Sequence, residues 1–241
     1  MSFVVNPYRF GGGGGGPPAP TFGNNSRLFL SASSQDIEVA DDAAFPTGAQ
    51  TWCCWMKLAG AVFIDAYNMM GKNIDAGNNR SARLRVLGTN DNLQAFISPN
   101  GQTPFTSVSS STNSITLDTW HHVAFTFEPS THLKLYIDGI EDGSNTTSIP
   151  ATIYDGTAPF YIGSLDGALQ FFDGRIADVR IYDADIGATE IANLAAGTDY
   201  QTNLVGWWLT DTDDAVTDFA GTFADATNNG TTYSTDGPLD P

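Results

Sequence analysis

From about residue 21 the hydrophobic pattern has a period of two. Trp52, Cys54, Met56 and Leu58 alternate with Cys53, Trp55 and Lys57. His121, Val123, Phe125 and Phe127 alternate with Trp120, His122, Ala124 and Thr126. Leu133, Leu135 and Ile137 alternate with Lys134, Tyr136 and Asp138; Ala177, Val179 and Ile181 alternate with Asp178, Arg180 and Tyr182. Further on, Leu204, Gly206 and Trp208 alternate with Val205, Trp207 and Leu209. Successive side chains of a strand point to opposite faces, so this pattern predicts half-buried antiparallel strands. Turn residues separate the runs: Pro99-Asn100-Gly101, Asp138-Gly139, Asp142-Gly143 and Asp166-Gly167. One helix is predicted, Ile186 to Ala196, with Ile191 and Leu194 facing inward. Short strands with regular turn signals predict a sandwich or a barrel.

Composition sharpens this picture. A chain of 241 residues, 41% of them hydrophobic, can bury one large sandwich core or two small ones. Charged residues are only 15%, with polarity supplied by turn-forming Ser, Thr, Asn and Gly. Ten basic residues stand against 27 acidic ones, a net charge of −17. Such a surface repels nucleic acid and anionic membranes, so neither is expected as a partner. Cations or basic protein surfaces are the complementary partners, and solubility alone accounts for the charge as well. Cys53 and Cys54 are adjacent, point to opposite faces of a strand and are expected to be small buried hydrophobes rather than a disulfide. No stretch is long and apolar enough to span a membrane.

Residues 1–20 differ from the rest. An apolar and aromatic head (Phe3, Val4, Val5, Tyr8, Phe10) precedes six glycines, Gly11 to Gly16, and then Pro17-Pro18-Ala19-Pro20. Hexaglycine has nothing to pack and a large ordering cost. An ordered arm of this composition therefore needs contacts with another chain. The head also lacks the basic start and long apolar stretch of a secretory signal, so synthesis in a cytoplasm without a cleaved export signal is expected.

Four blocks resemble the laminin-G-like, concanavalin-A-type jelly roll. They are Gln50-Thr-Trp-Cys-Cys-Trp-Met-Lys57, Asp118-Thr-Trp-His-His-Val-Ala124, Leu133-Lys-Leu-Tyr-Ile-Asp-Gly139 and Phe172-Asp-Gly-Arg-Ile-Ala-Asp-Val-Arg-Ile-Tyr182. Trp-His-His-Val-Ala is the most specific of them. The resemblance covers residues 21–200 and implies an all-β, two-sheet antiparallel jelly-roll sandwich with one short helix. The tail Asn203-Leu-Val-Gly-Trp-Trp-Leu209, with Asn228-Asn-Gly-Thr231, resembles a segment that often accompanies such domains. Residues 201–241 are expected to pack on the jelly roll through Val205, Trp208 and Leu209. The short Asn-Pro-Tyr-Arg-Phe head followed by glycines resembles the N-termini of tailed-phage virion proteins.

Members of the jelly-roll family are mostly binding or adhesive modules, often for carbohydrate, and some relatives are glycanases. A glycanase needs two carboxylates flanking the sugar bond. Related glucanases carry Glu-x-Asp-x-Glu on one strand, and no such run exists here. Gln35-Asp-Ile-Glu38 and Asp138-Gly-Ile-Glu141 are the nearest, each without a partner at that spacing. No catalytic residue is assigned. Among the histidines, His121 and His122 face opposite sides of a strand, so one core and one surface histidine are expected. Many relatives hold a structural calcium with an Asp in the strand before Val-Arg-Ile-Tyr; aligned on that block, the position falls on Ala177, with Asp178 one residue along. A loop set (Asn73, Asp75, Asn78, Asn79) offers hard oxygen ligands for a calcium ion or a bound ligand. Sugar platforms by residue type are Trp55, Trp120, Trp207 and Trp208, although Trp52 and Trp208 read as core.

The expectation is a non-enzymatic virion structural protein, a capsid decoration or tail/fibre component made in the host cytoplasm. Its arm would hold other virion proteins in a homo-oligomeric or multi-copy assembly, and its jelly roll would face outward to a surface glycan. A carbohydrate-binding module without an assembly role is the second reading, and a glycan hydrolase the third.

Overall fold

The computed structural model describes residues 25–59, 66–88, 91–208 and 216–238. In chain order the elements are β1 (Ser26–Phe29), β2 (Asp36–Val39), β3 (Gln50–Leu58), β4 (Ala66–Ile74), β5 (Asn79–Leu87), β6 (Asn92–Ile97), β7 (Thr106–Ser109) and β8 (Trp120–Glu128). There follow β9 (His132–Ile137), β10 (Ile140–Asn145), β11 (Phe160–Ile162), β12 (Gly174–Tyr182), α1 (Gly187–Ala195), β13 (Leu204–Trp208), β14 (Thr227–Asn229) and β15 (Thr232–Ser234). They form two antiparallel sheets. One runs β10-β9-β8-β3-β12-β1-β15, with β13 also paired to β12; the other runs β14-β2-β11-β4-β5-β6-β7. This is the jelly-roll sandwich with one helix that the alternation and the family resemblance imply.

The inner faces meet in one core. Trp52, Cys54, Met56 and Leu58 of β3, Val123, Phe125 and Phe127 of β8, and Leu133, Leu135 and Ile137 of β9 all enter it from the first sheet. Aromatic rings link the layers: Trp52 lies 5.2 Å from Phe125 and 5.3 Å from Phe160, and Trp208 stacks on Phe160 and Phe223 at 5.5 Å each. Burying aromatic area on this scale dominates core energetics. Cys53 and Cys54 are both buried and unbonded, on opposite faces of β3.

Bulges interrupt the strict alternation in several places, and three of them correct the sequence reading. In β12, Ala177 pairs with Trp55 but Arg180 with Cys53, so Asp178 and Val179 oppose a single residue. Asp178 sits at φ 53°, a bulge conformation. Ile176, not Ala177, therefore shares the core face with Val179 and Ile181. A second shift near Tyr182 sends Leu204 to the outer face of the sheet while Val205 packs on the core beside Trp208. The third is Asp142-Gly143, expected as a turn, which is a bulge inside β10. Asp138-Gly139 (φ 51° and 82°) does form the β9–β10 hairpin, with φ positive at both central residues as tight hairpins require.

The two outer faces differ. On the first sheet α1 packs Ile191 and Leu194 over Cys53, Ala124, Tyr136 and Tyr182. Beside it lies a buried polar group. Arg180 Nε donates to Asp178 Oδ1 at 2.8 Å, Trp207 Nε1 donates to the same oxygen at 2.6 Å, and the guanidinium lies 4.3 Å from the Trp207 ring. No described helix covers the outer face of the second sheet. At one side of the sandwich a single strip crosses both sheets: β14 pairs with β2, and β15 pairs with β1. Between them Asn228 Oδ1 accepts from the N–H and the hydroxyl of Thr231, at 2.9 and 2.7 Å, and turns the corner. Leu209 and the arm residues Phe3, Val4, Val5, Tyr8 and Phe10 lie outside the described residues.

Candidate functional site

The register of the second sheet places one residue of each strand in a single row across its outer face. Thr227 of β14 pairs with Glu38, Glu38 with Tyr161, Tyr161 with Gly71, Gly71 with Arg83, Arg83 with Phe96, and Phe96 with Ser107. The alternation explains why these side chains face outward. Their strand neighbours Ile37, Val39, Phe160, Ile162, Ala82, Leu84, Ala95 and Ile97 are buried in the core. Two residues along, Arg85 pairs with Gln94, and Gln94 with Ser109, forming a second polar row.

Arg83 is the centre of this face. It is 7% exposed, its Nε is buried without a hydrogen-bond partner, and among the described residues no hydrogen bond or ion pair reaches its guanidinium. Its Cζ lies 4.5 Å from the Phe96 ring and 5.6 Å from the Phe105 ring, a cation–π seat. Those two rings meet edge to face at 5.4 Å. Arg85 Cζ lies 4.6 Å from the Phe96 ring centre, and Arg85 gives two hydrogen bonds to Gln94 Oε1, at 3.1 and 2.9 Å. Burial lowers the pKa of Arg83; the Asp75 carboxylate works against that shift and Arg80 adds to it. At the other end of the row, burial, with Glu38, Asp36 and Asp166 nearby, pushes the Tyr161 hydroxyl up to about 12. It therefore stays a neutral hydrogen-bonding group at ordinary pH.

The loop set expected from the sequence lies at the tip of the β4–β5 hairpin, beside this face. Asn73 Nδ2 donates to Asp75 Oδ1 at 3.1 Å. Arg80 donates to Asp75 Oδ1 at 2.9 Å and to Asn78 Oδ1 at 3.3 Å. Asn79 Nδ2 donates away from the group, to Thr157 Oγ1 at 3.2 Å. Arg80 thus draws Asp75 and Asn78 together and takes one side-chain oxygen of each, while Asn79 Oδ1 is buried without a partner. Burial raises the pKa of Asp75, but hydrogen bonds from Arg80 and Asn73 outweigh it and hold the carboxyl below its usual range. Among the described residues no group of three His, Cys, Asp or Glu converges as a metal site. The inherited calcium position fits no better. Ala177 brings no oxygen ligand, and the Asp178 carboxylate is taken by Arg180 and Trp207.

The remaining sequence candidates are structural. Both neighbouring histidines are buried, not one: His121 is 7% exposed and His122 1%. Thr116 N–H donates to His121 Nε2 at 3.1 Å, so the proton sits on Nδ1 and is donated to Asp138 Oδ2 at 2.8 Å. His122 is capped by the Trp55 ring at 5.3 Å, with its Nδ1 unpartnered. The surface position vanishes because the outer face of β8 is itself covered. Trp55, Trp207 and Trp208 are buried, and Trp120 Nε1 is engaged by Asp236 Oδ1 at 3.1 Å. The aromatic residues of the other outer face are Tyr161, itself buried with Gly167 against its ring, and the half-buried Phe96 and Phe105. Sequence reasoning missed them because a row across strands is a property of register, which no single segment displays. Asp36 is also tied down, accepting from Ser164 Oγ and Asn229 Nδ2 at 2.7 Å each.

Among solved structures the chain is similar to a Bacteroides ovatus protein named as carbohydrate binding, with TM-score 0.66 and 19% identity. That match covers 92% of this chain and 62% of the other, so the chain spans less than two thirds of it. It is similar also to the heptameric SAP-like pentraxin of Limulus polyphemus (TM-score 0.53, 14% identity, 73% of this chain and 84% of that one). A third is the receptor-binding domain of botulinum neurotoxin C/D mosaic serotype (TM-score 0.50, 15% identity, 63% and 36%). Identities this low show the fold. No curated protein matches the sequence. The sequence itself matches the laminin G type of concanavalin A-like domain over residues 31–192, about two thirds of its length. With the two-sheet topology, the helix over Gly187–Ala195 and that match together, the chain belongs to the concanavalin A-like lectin/glucanases superfamily.

Proposed function

We propose that this jelly roll is a non-enzymatic glycan-recognition module and that the outer face of its seven-stranded sheet is the binding surface. The observation that carries the reading is the row Glu38–Tyr161–Gly71–Arg83–Phe96–Ser107. It sets flat aromatic surface beside hydrogen-bonding groups, the combination that a sugar ring with its hydroxyls requires. The name of the Bacteroides ovatus protein supports it. A glycan panel displayed to the full chain tests it: binding that Tyr161→Ala and Phe96→Ala weaken tenfold or more is expected, and a panel with no bound member overturns it. The non-enzymatic part is supported by the fixed role of Asp36 and by the hairpin role of Asp138. Release of reducing ends from polysaccharide that depends on a carboxylate of this face would overturn that part.

The arm supports a further layer of the reading, display on a virion as a decoration or fibre component in many copies. Its support is sequence: an apolar head, six glycines and a proline-rich exit ahead of a body of net charge −17. Contacts by Phe3, Val4, Val5, Tyr8 and Phe10, with backbone strand addition, would hold it to other virion proteins. Removal of residues 1–20 is expected to leave a folded jelly roll that no longer joins the assembly. Full incorporation of the truncated chain would refute the anchoring role.

A further inference from the structure

We propose that Arg83 anchors the carboxylate of an acidic sugar, a uronate-type residue, on the outer face of the seven-stranded sheet; this rests on the glycan-binding reading and names its ligand class. Arg80, Arg83 and Arg85 are three of only ten basic residues in a chain of net charge −17, and all lie on one strand. Arg80 is committed to Asp75, and Arg85 to Gln94. Arg83 lies between them without a hydrogen-bonded or ion-paired acceptor among the described residues, although it is 93% buried. A residue buried to this extent normally has its charge paired; here Nε is buried without a partner, and the two terminal nitrogens are the part that still reaches solvent. Its contacts here are aromatic, with Phe96 and Phe105. The rings hold the guanidinium in place and supply no acceptor for its N–H groups.

The geometry around it favours a sugar over a free ion. The next position in the row is Gly71, where even a Cβ would lie only 3.0 Å from Arg83 Cβ. Arg83 therefore packs directly against this strand, and beyond it in the row stands Tyr161. Neighbouring strands are about 4.8 Å apart, so the backbones of Tyr161 and Arg83 are about 10 Å apart, and one pyranose lying over the row would reach both. Its carboxylate would meet the guanidinium, whose fork of parallel N–H groups matches two carboxylate oxygens. Its hydroxyls would face Tyr161 and Glu38. The nearest acid, Asp75, is held by Arg80 and Asn73 and is thereby kept from pairing with Arg83 itself.

Calorimetry on the full chain decides the matter with three probes: a galacturonic acid trisaccharide, the same trisaccharide with its carboxylates reduced to alcohols, and a sulfated neutral trisaccharide. The acidic trisaccharide is expected to bind at least tenfold more tightly than the reduced one. Arg83→Gln should abolish that difference, with no fall in thermal midpoint, because it removes an unpaired buried cation. Arg83→Lys keeps the charge but loses the fork, and should retain only part of the preference. Equal binding of the acidic and reduced forms, unchanged in Arg83→Gln, overturns the Arg83 assignment and leaves glycan recognition standing. Equal binding of the sulfated probe overturns the carboxylate assignment. Failure of all three to bind overturns this inference, while the wider glycan panel decides the broader reading on its own.

Discussion

At the scale of single residues, the fold depends on buried polar groups whose partners are few. Arg180 is fully buried, with Asp178 Oδ1 at 2.8 Å and the partly exposed Asp199 Oδ1 at 2.6 Å. Removing one member of a buried pair strands the other. Asp178→Ala is therefore expected to destabilise by about 3–5 kcal/mol in urea unfolding, and Asp199→Ala by far less. Equal losses would show that Asp178 is not the principal counter-charge. His122 gives a pH dependence of known sign. Burial, reinforced by Arg180 and opposed by Asp138, pushes its pKa from 6.5 down to about 3. The unfolded chain takes up that proton near pH 6.5, and the folded chain resists it until about pH 3. Stability from this residue is complete above the upper value and is lost as the pH falls through the window. At pH 4.5 the loss amounts to about 3 kcal/mol, at 1.36 kcal/mol per pKa unit. In His122→Gln the difference in unfolding free energy between pH 7 and 4.5 should shrink by that amount; an unchanged difference would refute the assignment.

At the scale of elements, the β9–β10 hairpin and α1 are joined through a glycine. Gly139 has φ 82°, and a Cβ there would meet Ala192 Cα at 2.9 Å. Gly187, at the start of α1, has φ 77° and nothing within 4 Å. Alanine at Gly187 meets backbone strain alone, about 1 kcal/mol. Alanine at Gly139 meets the same strain and must also displace the helix, so its thermal midpoint should fall further; parity between the two would dismiss the helix contact. The Asp138-Gly139 turn and the helix over Gly187–Ala195 were legible in the sequence because local chemistry specifies them. Strands β3, β8 and β9 were legible because each runs through the core without interruption. Ala177, Leu204 and Asp142-Gly143 were misplaced because a bulge flips every later side chain and depends on the partner strand. For the same reason the sequence pointed to the hairpin residues Asn73, Asp75, Asn78 and Asn79 but not to Arg83, whose surroundings come from β4, β6 and Phe105 just before β7.

At the scale of the molecule, one outer face is covered by α1 and the Arg180 group, and the other carries the arginine–aromatic row. The covered face stabilises; the other is the one proposed for recognition. The C-terminal segment belongs to the stabilising part. Trp208 stacks in the core, Phe223 lies 4.4 Å from Phe45, and Asp236 bridges Lys57 and Arg175. Deletion of residues 201–241 is expected to lower the thermal midpoint by well over 10 °C, since losing one large aromatic core residue alone costs about 3–5 kcal/mol. An unchanged midpoint would refute the packing role.

The strip at Thr227–Ser234 also dictates a timetable. β1 and β2 are made near the beginning of the chain, yet each acquires an outer neighbour only from this strip. During synthesis both strands therefore wait through nearly two hundred residues with a row of N–H and C=O groups unmatched. Crowded copies on one message could pair through those rows before the proper strip arrives. Asp36, whose Oδ2 accepts from Ser164 and whose Oδ1 awaits Asn229, places a charge on that waiting edge and would discourage such pairing until Asn229 arrives. A nascent chain arrested before residue 227 is accordingly expected to remain protease-sensitive at β1 and β2, and protection at that stage would show that the sheets close without the strip.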